Sequence, residues 1–64
     1  MVKINGAELN MAGKTVREYL CGTEYNPARI AVEINGEIVR KCDYDTVVMH
    51  DGDEVEIVSF VGGG

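Results

Sequence analysis

The sequence predicts an α+β fold in which a mixed β-sheet of four to five strands packs on one helix. Three observations lead there. Asn-Gly occurs twice, each time between alternating apolar residues, a capped amphipathic stretch separates the two pairs, and the last regular segment alternates again.

Val2 and Ile4 alternate with Lys3 before Asn5-Gly6, a pair that tolerates the positive φ of a type I′ turn, and Ala7, Glu8 and Leu9 follow. This is a first hairpin, its second strand expected to end near Met11 because Ala12-Gly13-Lys14 breaks the pattern. Thr15 and Glu18 stand at capping-box spacing, and Val16, Tyr19 and Leu20 lie at i, i+3 and i+4. A short helix results, stopped by Gly22. From Thr23 to Arg29 the chain reads as a loop in which Pro27 blocks further helix.

In the stretch IAVEINGEIV, Ile30, Val32 and Ile34 alternate with Ala31 and Glu33, and Asn35-Gly36 turns into Ile38 and Val39. The echo between INGAEL and INGEIV is not a repeat, because the same turn chemistry explains both and a helix lies between them. Lys41 to His50 is irregular, with Tyr44, Val47, Val48 and Met49 covering one end of the core, and Asp51-Gly52-Asp53 turns into a strand from Glu54 to Phe60. If Val55 and Ile57 face the helix, then Glu54, Glu56, Val58 and Phe60 face outward.

At 64 residues, 45% of them apolar, the chain has one small core and little interior for an enclosed substrate cavity. A self-sufficient enzyme is not expected. Eleven carboxylates against six Lys and Arg give a formal charge of −5, which repels a phosphate backbone and argues against a nucleic-acid partner. No apolar run approaches a membrane span and no signal peptide opens the sequence, so a cytoplasmic protein without a membrane partner is expected.

Few side chains suggest chemistry of their own. Cys21 and Cys42 are too few and too far apart for a zinc or iron-sulfur site, and two reduced structural thiols are the expectation against a persulfide role. His50 has no Ser or Cys partner at a motif spacing and reads as a surface histidine. Asp51 and Asp53 lack the full calcium-loop spacing and read as turn residues, so no metal site is assigned. Val58 and Phe60 on the open face, with Ala31 beside them, form a candidate partner-binding surface; Phe60 folding back over the sheet edge is the competing reading.

After Val61 come Gly62, Gly63 and Gly64. Three residues extend at most about 10 Å, and glycine can lie in a channel too narrow for any other residue. The tail could thus carry a carboxylate into a neighbour's active site for activation by ATP. Taken alone, the glycines fit a frayed end or an expression remnant equally well. Their place directly behind a strand, with no polar linker, favours the functional reading.

With its length and hairpin-helix-hairpin order, the chain, and above all VEINGEIV and DGDEVEIVSFVGGG, resembles the ThiS family, ubiquitin-like sulfur carriers of thiamin biosynthesis. The resemblance implies a β-grasp domain over residues 1–60 and a flexible tail over 61–64. It implies that Gly64 is adenylated by an E1-like adenylyltransferase of the ThiF type using ATP and magnesium, then converted to a thiocarboxylate. A cysteine desulfurase or another persulfide donor would supply the sulfur, and a thiazole synthase of the ThiG type would receive it. Gly63 and Gly64 match the diglycine end, Gly62 and Val61 its approach, and Phe60 with Val58 the docking surface. The carrier would be a cosubstrate with no cofactor of its own. Two alternatives remain at this point: a MoaD-like carrier for molybdopterin synthesis, with the same tail chemistry, and a non-covalent ubiquitin-like interaction module.

Overall fold

The structure is a computed structural model and describes residues 1–60. Two hairpins form where the Asn-Gly pairs predict them. The first joins β1 (Val2–Ile4) to β2 (Ala7–Leu9), and the second joins β3 (Ile30–Ile34) to β4 (Glu37–Val39). Asn5 and Asn35 adopt φ of 50° and 53°, each followed by a glycine at 85°. That succession of left-handed residues is what a two-residue type I′ turn requires. The second strand stops at Leu9, two residues short of the expected end, and the Met11 N–H bonds back to the Leu9 carbonyl at 2.9 Å.

The helix, α1 (Val16–Cys21), is only six residues long, well under the length at which an isolated helix holds itself together. Its first turn is anchored from outside. The Glu18 N–H bonds Thr15 Oγ1 at 3.1 Å, and the Thr15 N–H bonds Glu18 Oε1 at 2.8 Å, which closes the capping box. Two further amides that no helical carbonyl can serve are taken by the irregular segment: Val16 N–H by Val47 O at 3.0 Å, and Arg17 N–H by Tyr44 O at 2.9 Å. Gly22 caps the end at φ −90°, so the helix stops without a left-handed residue. Pro27 does more than block helix: it opens a 3₁₀ turn, Pro27–Arg29, that leads directly into β3.

The last strand, β5 (Glu54–Ser59), lies in the middle of a five-stranded sheet of order β2-β1-β5-β3-β4. It runs parallel to β1 and antiparallel to β3. Val55 and Ile57 point at α1 and pack with Val2, Ile4, Val32 and Leu20, while the opposite face carries no covering layer among the described residues. Tyr44 and Met49, both 1% exposed, close one end of the core, Val47 packs half-buried against it, and Val48 is half-buried. The sheet and helix are those of a β-grasp fold.

Candidate functional site

The candidate site is the uncovered sheet face together with the end of β5. Alternation along β5 buries Val55 and Ile57 and sends Glu54, Glu56 and Val58 outward, as the sequence predicts. The register with β3 sets Ala31 directly opposite Val58. Pairing does not end with the strand, for the Phe60 N–H still bonds the Arg29 carbonyl at 2.7 Å. Phe60 is 53% exposed and Val58 is 50% exposed, so both present apolar surface to solvent. Ala31, half-buried, makes the small floor between them and β4.

Sequence reasoning missed one member of this face. Ile38, on β4, is 70% exposed and stands opposite Glu33. The signal was available, because a two-residue turn at Asn35-Gly36 fixes Glu33 against Ile38 and therefore places Ile38 outward with Ala31.

A second omission concerns the turn asparagines, which hold β5 from both sides. Asn5 lies where β1 ends, and its side chain replaces the missing strand: Oδ1 accepts the Ile57 N–H at 2.8 Å and Nδ2 donates to the Ile57 carbonyl at 3.3 Å. Nδ2 also reaches the Tyr25 hydroxyl at 3.4 Å. On the β3 side, Asn35 Oδ1 accepts the Glu54 N–H at 3.0 Å while Asn35 N–H donates to the Glu54 carbonyl at 2.7 Å. The start and the centre of β5 are thus clipped by the same residue type used twice.

Asp53 belongs to this frame. Its carboxylate accepts the His50 backbone N–H at 2.8 Å and the Asn35 side-chain amide at 3.0 Å. The His50 amide bond is the main reason its pKa lies below the ordinary carboxylate range, with the Asn35 bond adding to it. His50 is exposed, its Nδ1 3.8 Å from Asp53, as a surface histidine would be. Asp51 meets the N-terminal ammonium. Both aspartates act as turn and tether residues.

The cysteines differ from expectation. Cys21 and Cys42 are free and both exposed, so neither fills the core as a buried structural thiol would. Cys21 lies on the rim of a cleft of about 260 Å³ between α1 and the loop behind it, with Leu20, Tyr25, Pro27 and Tyr44 in its walls. Burial raises the Tyr44 hydroxyl pKa above its ordinary value. Val61, Gly62, Gly63 and Gly64, the proposed approach and acceptor, lie outside the described residues.

The frame is a small β-grasp domain whose central strand runs directly into a glycine sequence. The model of the ThiS family matches residues 2–64 and so includes those glycines. The chain belongs to the ThiS family. A sulfur carrier protein ThiS from Bacillus subtilis is 35% identical over the full length of both chains. A crystal structure of a thiamine biosynthesis protein, ThiS, from Geobacter metallireducens superposes with a TM-score of 0.79 at 31% identity, covering 98% of this chain and 97% of that one. A thiazole synthase from Paramagnetospirillum magneticum is 45% identical over 95% of this chain, which spans only 19% of that protein's length. Among the described residues no helix is long and apolar enough to cross a membrane.

Proposed function

We infer that Gly64 is the working end of a sulfur carrier of thiamin biosynthesis. The observation that carries this is the family match, which continues through the glycines immediately behind the central strand. The carboxylate of Gly64 attacks the α-phosphorus of ATP and pyrophosphate leaves, giving an acyl-adenylate. The terminal sulfur of a persulfide then attacks the acyl carbon and expels AMP. A second thiol of the donor cleaves the S–S bond, which leaves a thiocarboxylate on Gly64 and a disulfide on the donor.

None of these steps asks a side chain of this protein to act as acid, base or nucleophile. The chain is a cosubstrate. ATP and magnesium belong to an E1-like, ThiF-type adenylating enzyme, and the persulfide to a cysteine desulfurase or equivalent donor, all in the cytoplasm. Residues 1–60 are the handle and 61–64 the part delivered, with Val61 as the approach and Gly62 and Gly63 narrow enough to enter a channel. Val58, Phe60 and Ala31 are the docking surface. A ThiG-type thiazole synthase is the acceptor, a choice supported by the similarity of this chain to part of a protein of that name.

The test is an intact-mass measurement after incubation with the adenylating enzyme, ATP, magnesium and a sulfur source. The mass of the full chain is expected to rise by the difference between sulfur and oxygen, and deletion of Gly64 to abolish the rise with the fold retained. A full chain whose mass never changes overturns the proposal.

A further inference from the structure

The cleft between α1 and the loop behind it contains a polar group with no partner in the protein. Tyr44 is 1% exposed, yet among the described residues its hydroxyl makes no hydrogen bond. No fully buried side-chain oxygen or nitrogen of the described residues lacks a partner, so this hydroxyl is not sealed in the core. It is the part of the side chain that opens onto the cleft, whose wall includes Tyr44. Burial raises its pKa, which keeps the proton on the oxygen at neutral pH. A hydroxyl held in this way is a fixed donor in want of an acceptor.

Two neighbours present donors to the same space. The Tyr25 hydroxyl accepts from Asn5 Nδ2 at 3.4 Å and keeps its own proton to give. The Arg17 guanidinium meets Asp45 through Nε, and its terminal N–H groups remain for a second acceptor. Leu20 and Pro27 make the apolar walls between these donors, and no Asp or Glu lines the cleft. A cavity of about 150 Å³ is enough for a benzene ring. This cleft, at about 260 Å³, has room for one ring with one polar substituent.

We propose that the cleft binds a small monocyclic aromatic carboxylate, with the ring between Leu20 and Pro27 and the carboxylate accepting from Tyr44, Tyr25 and Arg17. Apolar walls with a few convergent polar groups are the usual make-up of a small-molecule site. An anion is favoured over a neutral acceptor because a carboxylate takes charge-assisted bonds and matches a guanidinium in shape. A cation would meet donors only. The cleft lies on the helix side of the sheet, away from the outward face of β5, and needs no part of the glycine tail. The inference therefore stands apart from sulfur carriage. The cleft is nevertheless joined to β5 at two points. Pro27 opens the turn whose Arg29 carbonyl takes the Phe60 N–H, and Tyr25 touches the Asn5 side chain that clips Ile57.

The two cysteines supply an internal control for the test. Both thiols are exposed, but Cys21 borders the cleft and Cys42 sits apart from its wall in the 3₁₀ turn Lys41–Asp43. The full chain is alkylated with iodoacetamide at neutral pH over a series of benzoate concentrations, and the rate at each cysteine is read by peptide mass spectrometry. Benzoate is expected to slow alkylation of Cys21 several-fold and to leave Cys42 unchanged, with an apparent Kd on the order of 1 mM. Benzylamine, of the same size and opposite charge, is expected to protect neither. Tyr44→Phe removes only the hydroxyl and is expected to bind benzoate about ten-fold more weakly while melting no lower than the wild type, since no protein partner is lost. Arg17→Gln, a change at the exposed rim, is expected to weaken binding in the same direction and serves if Tyr44→Phe does not fold. Equal Cys21 rates with and without benzoate overturn the proposal, as does equal protection by benzylamine or undiminished binding of benzoate to the folded variants.

Discussion

At the scale of single residues, the two turn asparagines combine two tasks that separate in mutants. Asn5 pays a backbone penalty for φ of 50° and uses both ends of its amide on Ile57. Asn5→Gly keeps the turn and loses the clip, which is expected to reduce stability by about 1–3 kcal/mol. Asn5→Ala adds the left-handed penalty of about 1–2 kcal/mol. Urea unfolding of both variants measures the difference, and a wild-type midpoint for Asn5→Gly would show that the clip contributes nothing. The turn was legible in the sequence because Asn-Gly is a local signal. The clip was not, since nothing near Asn5 announces a partner 52 positions away.

Asp53 makes a pH prediction at the same scale. Its folded pKa is depressed, first by the His50 amide, so its stabilisation is fully present above the unfolded value near 3.8 and is lost as pH falls through the lower folded value. Glu18, depressed chiefly by the Thr15 backbone N–H, behaves in the same sense from its ordinary 4.5. Urea midpoints measured between about pH 6 and pH 2 should fall with acid, and Asp53→Asn should flatten that fall.

At the scale of elements, α1 shows how much a short helix owes to its surroundings. Thr15→Ala removes one half of the capping box and is expected to reduce stability by about 1 kcal/mol, read from thermal or urea unfolding. The capping box could be read from Thr15 and Glu18. The other anchors could not, because Val47 and Tyr44 contribute backbone carbonyls, and a carbonyl leaves no trace in residue type. For the same reason the stretch from Lys41 to His50 looked merely irregular. Gly22 ends the helix as expected, though not through a left-handed conformation: with φ at −90° and its added Cβ meeting only Tyr19 O at 3.6 Å, Gly22→Ala should be neutral or stabilising by about 0.4–1 kcal/mol.

At the scale of the whole molecule, alternation in β1, β3 and β5 was enough to assign the buried face, because one side of the sheet meets the helix and the other does not. Strand order was not legible, since periodicity says which way side chains point and not which strands are neighbours. The glycines and the family resemblance are the basis of the proposed tail chemistry, whereas the paired Glu33 and Glu56 became visible only with the register. A domain of this size has about 3–10 kcal/mol of stability in total. Leu20→Ala, at a site 3% exposed, should lose about 2–5 kcal/mol of that and leave a large unfolded fraction at room temperature, measurable by circular dichroism.

The central position of β5 also orders events in time. Each hairpin is local and can form early, but β1 and β3 have no contact in the sheet except through the strand that comes last in sequence. Non-local closure of this kind is the slow step of folding. A chain interrupted before residue 54 has two hairpins and no sheet, and is open to proteolysis. Completion of the fold therefore acts as a length check: copies that survive as folded protein have been made at least to the threshold of the glycines.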